Sequence, residues 1–117
     1  MDFFGPTDLA ALYARMPQMR PLFERLLGPL ADHEAEYRAA SPVSYADRIR
    51  VPMWILHGAA DRVIPLDQSI KLVEALRAAG RPPQFRQFTG GHGFEGAEEA
   101  DAFETTAAFL ADHLRAR

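Results

Sequence analysis

Two side chains in this sequence are of the kinds that move protons in hydrolytic chemistry. Asp61 lies in the turn-rich stretch His57-Gly58-Ala59-Ala60-Asp61-Arg62-Val63-Ile64-Pro65, and His92 lies in Gly90-Gly91-His92-Gly93-Phe94. A histidine whose Nδ1–H is held by a carboxylate can take the proton of a serine hydroxyl and later return it to a leaving group. Asp61 and His92 therefore read as the catalytic acid and base of a triad, and the glycines flanking His92 suit a backbone that must aim a side chain. The third member is absent from the pattern. One recurrent setting for such a serine is a G-x-S-x-G turn between a strand and a helix. Ser41, Ser44 and Ser69 are instead preceded two positions back by Ala39, Pro42 and Asp67. No nucleophile is assigned, and the oxyanion hole built around that turn is missing for the same reason.

The other candidates carry plainer readings. His57 closes an apolar, strand-like run just before Gly58 and carries no catalytic reading. His33 and His113 fall among charged residues on helical segments and read as solvated. Asp61, His57 and His92 are chemically able to bind zinc, yet no H-E-x-x-H or comparable spacing supports a metal site. Ser69 reads as a capping or solvating group in the first turn of a helix, and Trp54 as core. No cofactor is implied, and with no cysteine in the chain, thiolate nucleophiles and disulfides are excluded.

Positioning Asp61 and His92 requires two loops at one edge of a sheet. The run 53–57 is continuously apolar and ends at Gly58, as expected for a strand buried on both faces of a parallel sheet. The segment 66–79 places Leu66, Ile70, Val73 and Leu76 on one helical face and stops at Gly80. Residues 84–89 alternate with period two, which predicts a more exposed, edge-like strand leading into His92. A strand, crossover helix and parallel strand make a right-handed unit whose two strand-end loops share one edge, where chemistry collects in α/β sheets. A last helix over about 97–115 carries Phe103, Ala107, Leu110 and Leu114 as a stripe, with Glu98, Glu99 and Asp101 at its start and Arg115 and Arg117 at its end complementing the dipole. Ahead of this β-α-β-α unit (42–117), residues 1–41 read as a helical segment in pieces 8–16, 21–27 and 30–40, broken by proline and glycine, with Thr7 as the first N-cap.

The chain has 117 residues, 48% of them apolar, and a formal net charge of −3, which describes one domain with one modest core. No basic run would neutralise a phosphate backbone, so no nucleic acid partner is expected. No window approaches a membrane span and the N-terminus has no signal-peptide pattern, so the expectation is a cytoplasmic protein.

The run from Ser41 to Gly58, followed by Asp61, Val63-Ile64-Pro65, Gln68-Ser69, Glu74-Ala75-Leu76, Gly80 and Gly91-His92-Gly93-Phe94, resembles the C-terminal half of an α/β-hydrolase catalytic domain. The similarity is to the prolyl oligopeptidase family of serine peptidases and related esterases, densest over 41–114, with 2–9 resembling the stretch that follows the strand after the nucleophile turn. The resemblance implies a partial α/β-hydrolase fold, a triad acid at Asp61 and a triad base at His92. It also implies that the nucleophile would lie upstream of Met1. Two functional readings follow: a hydrolase part inactive until another polypeptide donates the serine, or a non-catalytic, self-associating module. A dienelactone-hydrolase-like origin is an alternative within the fold, since a similar Gly-His-Gly-Phe ending occurs there. On either reading the strand 53–57 would lack its upstream neighbours, leaving unpaired backbone groups beside an apolar surface. The expected partner is a second copy, giving a homo-oligomer, or a complementing N-terminal half.

Overall fold

The protein is described by a computed structural model covering residues 1–115. Its centre is a three-stranded parallel sheet in the order β1-β2-β3, formed by β1 (Asp2–Phe3), β2 (Trp54–Gly58) and β3 (Gln84–Phe88). Helix α4 (Asp67–Ala78) makes the crossover between β2 and β3, and α5 (Ala97–Leu114) follows β3. Three short helices, α1 (Leu9–Arg15), α2 (Arg20–Leu27) and α3 (Glu34–Ala39), with 3₁₀ turns between and after them, form a separate layer. This is the expected small α/β architecture. Among the described residues no helix is long and apolar enough to cross a membrane.

Strand β2 is buried along its whole length, because its alternate side chains serve two different cores. Ile55 packs with Leu72, Val73 and Leu76 of α4 and with Ala46, on one face of the sheet. Trp54 and Leu56 pack on the other face with Phe88 and with Ala102 and Phe109 of α5. Trp54 lies nearly parallel to Phe109 with ring centroids 5.9 Å apart, and its indole N–H donates to Thr106 Oγ1 at 2.9 Å. Polar tips of this kind need a partner once buried, and Thr106 supplies it.

Several expectations shift by a fraction of a helical turn. The buried face of α4 is Gln68, Ser69, Leu72, Val73 and Leu76, while Ile70 is exposed, because the 3₁₀ segment Pro42–Arg48 and β2 lie against the former. In α5 the buried stripe is Ala102, Thr106 and Phe109, leaving Phe103 and Leu114 exposed and Leu110 half-buried. Helix α5 ends at Leu114 with Arg115 as its C-cap; Arg117 lies outside the described residues. The piece expected over 30–40 divides at His33, whose φ of −130° and ψ of 32° separate a 3₁₀ turn from α3.

Two further differences concern the N-terminus. Residues 2 and 3 form a strand where only helical pieces were expected, since two residues carry no periodicity to read. By pairing with Ile55 and Leu56 they cover one side of β2, so β2 is internal and the open sheet edge passes to β1. The N-cap of α1 is Asp8, whose carboxylate accepts from Ala11 N at 3.0 Å. Thr7 is instead buried and bonded to Gln68: its N–H and that of Asp8 donate to Gln68 Oε1 at 3.0 and 2.8 Å, and its hydroxyl donates to the Gln68 carbonyl. Gln68 thus holds the helical layer against α4, while its Nε2 has no hydrogen-bond partner among the described residues.

Leaving buried N–H groups without an acceptor costs about 1–3 kcal/mol each, offset here by removal of the unpaired Gln68 amide. Gln68→Met is expected to destabilise the protein by about 1–3 kcal/mol. Urea denaturation checks this, and an unchanged midpoint and slope would show that the link contributes nothing.

Candidate active site

The site is built where the loops after β2 and β3 meet. Strand register brings Gly58 opposite Phe88. Beyond it, Ala59 N donates to the Phe88 carbonyl at 2.7 Å and Ala60 N to the Gly90 carbonyl at 2.9 Å, so the two loops continue the sheet's pairing for two more residues. Gly58 permits this approach, since a Cβ there would stand 2.4 Å or less from the carbonyl oxygens of Gly90 and Gly91. Glycine is required by contact rather than by φ. The second loop is clamped from α5: Glu98 accepts from Thr89 N (2.8 Å), Thr89 Oγ1 (2.6 Å) and Gly90 N (3.2 Å). These bonds hold the Glu98 carboxyl below its ordinary value, against the small opposing effect of burial.

Asp61 and His92 meet across this junction. Asp61 Oδ2 lies 2.9 Å from His92 Nδ1, and Oδ1 accepts from the backbone N–H groups of Val63 (2.8 Å) and Ile64 (2.9 Å). The Asp61 carboxylate is fully enclosed, whereas the His92 side chain is 36% exposed. Burial raises the Asp61 pKa, but the hydrogen bond from His92, those from Ile64 N and Val63 N, and the charge of His92 together bring it below its ordinary value. Asp61 therefore stays ionised and holds the Nδ1–H tautomer of His92. This leaves Nε2 without a protein partner among the described residues.

Sequence reasoning missed the aromatic side of the site. Phe4, directly after β1, has φ of +45°, the only non-glycine residue with positive φ among those described, and its N–H donates to the Leu56 carbonyl at 2.9 Å. Its ring meets that of His92 edge-on, centroids 4.7 Å apart, and packs on Phe94 at 5.3 Å. A bulky residue in the left-handed region is strained. The sequence carries no sign of it, because the strain arises only once β1 joins the sheet. Phe3, Phe4, Phe94, Glu99, Ala102 and Phe103 line a cavity of about 190 Å³ beside the histidine.

The remaining sequence candidates sort clearly. His33 is partly exposed, 3.5 Å from Glu36, and His113 is exposed with Nδ1 2.8 Å from its own helix at the Phe109 carbonyl. Ser41 and Ser44 bond to backbone atoms of the helical layer. Ser69 neither caps its helix nor meets solvent: it is completely buried, with Oγ 2.7 Å from His57 Nδ1. No described serine bonds to His92, and among the described residues no group of three or more His, Asp or Glu side chains is arranged to hold a metal ion.

A base held by an enclosed carboxylate at the carboxyl edge of a parallel sheet is the arrangement of one large group of hydrolases. The pattern that defines the BD-FAE family matches residues 1–76, a span that includes Asp61 and stops before His92. The chain belongs to the BD-FAE family. Its relatives within α/β hydrolases include the probable carboxylic ester hydrolase LipM of Mycobacterium tuberculosis, 33% identical over 86 residues, which cover 71% of this chain and 20% of that protein. The dipeptidyl aminopeptidase BIII of Pseudoxanthomonas mexicana is 31% identical over 125 aligned positions, covering 100% of this chain and 18% of that protein. Among solved structures, a puromycin-hydrolysing peptidase of Mycobacterium tuberculosis superposes with a TM-score of 0.87 at 31% identity, covering 98% of this chain and 18% of its own. The BD-FAE chain thus has part of the α/β-hydrolase fold of prolyl-oligopeptidase-family peptidases and spans about a fifth of the length of its curated relatives.

The depressed pKa of Asp61 makes a directional prediction. A carboxyl whose folded value lies below its unfolded value of about 3.9 adds stability above that pH, and the contribution is lost as pH falls through the folded value. Asp8, whose pKa is also lowered, loses its share in the same window: burial opposes the shift, and bonds from Ala11 N and Lys71 outweigh it. Asp2, raised mainly by burial, acts in the opposite sense. Below about pH 4 the wild-type protein is expected to lose stability more steeply than Asp61→Asn, as read by denaturant midpoints at stepped pH. Parallel curves would show that Asp61 is not ionised through the folded structure.

Proposed function

We propose that this chain supplies the base and acid of a serine hydrolase, His92 and Asp61, to a nucleophile carried on another strand–turn–helix segment. The single observation that carries this reading is the Asp61 Oδ2 to His92 Nδ1 contact of 2.9 Å, with the carboxylate enclosed and the imidazole reaching solvent. In such a site His92 Nε2 removes the proton from the serine hydroxyl as Oγ attacks an ester or amide carbonyl. The imidazolium, stabilised by ionised Asp61, then protonates the leaving alcohol or amine. Water repeats the sequence on the acyl-enzyme, with His92 again taking a proton, and the serine is released.

The open edge of β1 supports the same reading. A strand added parallel to β1 would end at the same sheet edge as β2 and β3, because parallel strands share the side on which their loops emerge. Phe4, the residue after β1, already touches His92, so a nucleophile turn following the added strand would sit one strand spacing from the base. Without that strand, the same edge and the exposed Phe103 favour self-association into a homo-oligomer, which is the non-catalytic alternative. Ester and peptide hydrolysis by the relatives named above both fit this chemistry, which acts on either carbonyl.

Alone, the chain is expected to take no label from a fluorophosphonate probe. Mixed with a polypeptide carrying the G-x-S-x-G strand–turn–helix, it should direct labelling to that serine and hydrolyse p-nitrophenyl acetate. His92→Ala should lower kcat/KM by at least about 100-fold in the mixture, as removal of a triad member does. Labelling of a serine in the chain alone, or turnover indifferent to His92, would overturn the proposal.

A further inference from the structure

A second histidine lies behind the acid. His57, from β2, is completely buried, with Nδ1 2.7 Å from Ser69 Oγ of α4, and Nε2 2.8 Å from the Ile64 carbonyl and 3.3 Å from Asp61 Oδ2. On paper Ser69, His57 and Asp61 make a serine–histidine–aspartate set. Ser69 and His57 have no exposed surface, so no substrate reaches that hydroxyl.

The hydrogen-bond roles follow from what each atom can do. The Ile64 carbonyl and the ionised Asp61 carboxylate only accept, so His57 Nε2 must carry the proton that faces both. In the neutral ring Nδ1 is then an acceptor, and the donor on it is the Ser69 hydroxyl. Reversing the tautomer would set the lone pair of Nε2 against two acceptor oxygens in a buried site, a costly arrangement. The acceptors facing Nε2 thus fix the His57 tautomer, and the Ser69 hydroxyl, which can donate or accept, answers it by donating to Nδ1 and so holds the ring in place.

We infer that Ser69 and His57 are positioning residues for the triad acid, forming a buried chain Ser69–His57–Asp61–His92 that sets the orientation of the Asp61 carboxylate and, through it, the Nδ1–H tautomer of the base. Oδ2 of Asp61 is the atom shared by the two histidines, while the Val63 and Ile64 N–H groups hold Oδ1. His57 also bonds the carbonyl of Ile64, whose own N–H bonds Asp61, so one imidazole ties both ends of the carboxylate's loop. The charged groups facing this chain are Asp2 of β1, whose carboxyl senses His57, and Glu95 and Glu98, which line the cavity beside His92 with Gly90, Gly91 and Gly93. Ser69 lies in the first turn of α4 and His57 near the end of β2, both completely buried at the end of the sheet that carries Asp61.

This inference rests on the proposed roles of Asp61 and His92, but its test needs no substrate. Long-range ¹H–¹⁵N spectra of the imidazole rings report each tautomer in the chain itself. The wild-type protein should show His57 as Nε2–H and His92 as Nδ1–H. Ser69→Ala, which frees the His57 ring but leaves both acceptors facing Nε2, should keep His57 as Nε2–H and give His92 a mixture, while Ser69→Thr, which retains the hydroxyl, should keep His92 as Nδ1–H. A second pair guards against poor folding of the serine variants. His57→Gln, which can still donate to the Ile64 carbonyl and present an N–H toward Asp61, should keep His92 as Nδ1–H, and His57→Leu should lose it. Folded Ser69→Ala and His57→Leu proteins with unchanged His92 tautomer would overturn the inference. Should the probe experiment fail while these spectra behave as stated, the proposed hydrolase is wrong and the positioning chain stands.

Discussion

The structure depends on the parallel pairing of β2 with β3 and its extension past the ends of the strands. Trp54 to Gly58 lie in register with Gln84 to Phe88, and the bonds from Ala59 and Ala60 carry the pairing into the loops. A carboxylate and an imidazole separated by 31 positions in sequence are thereby placed by backbone geometry within hydrogen-bond distance. Side chains refine the placement. Glu98 fixes the histidine loop from one side, and the N–H groups of Val63 and Ile64 fix the carboxylate from the other. Gly58 is the point at which the arrangement is least tolerant, since any side chain there would displace the backbone of the histidine loop.

The layers around the sheet serve that junction unequally. Helix α4 buries an apolar face under Ile55 but turns Ser69 toward His57 and Gln68 toward the helical layer. It therefore connects the surroundings of Asp61 to residues 7 and 8 through buried polar bonds rather than through apolar packing. Such bonds are demanding, because each leaves a costly orphan when its partner is lost. The unpartnered Nε2 of Gln68 marks where this network is incomplete. The N-terminal layer has its own small core of Leu12, Met16, Phe23 and Tyr37, joined to the site's loop by Ile64.

Much of this was legible in the sequence. The apolar run 53–57, the helical period of 66–79 and the alternation of 84–89 each express a local rule, and parallel topology then puts Asp61 and His92 at one edge. What was not legible depends on tertiary contact. Strand β1 is two residues long and exists because β2 offers it a partner. The positive φ of Phe4, the clamp from Glu98 and the burial of Ser69 are settled by neighbours distant in sequence. The helical faces of α4 and α5 were read with the right period and a displaced phase, because periodicity specifies spacing while the packing partner selects which side is covered.

The central claim is that the fold by itself, with no substrate and no added strand, holds His92 on Asp61. Proton NMR of the folded chain tests it most directly. The account predicts a His92 Nδ1–H resonance far downfield of the amides and slow to exchange with water, lost in Asp61→Asn while the amide spectrum stays dispersed. A well-dispersed wild-type spectrum with no such resonance, or one that survives Asp61→Asn, would contradict it.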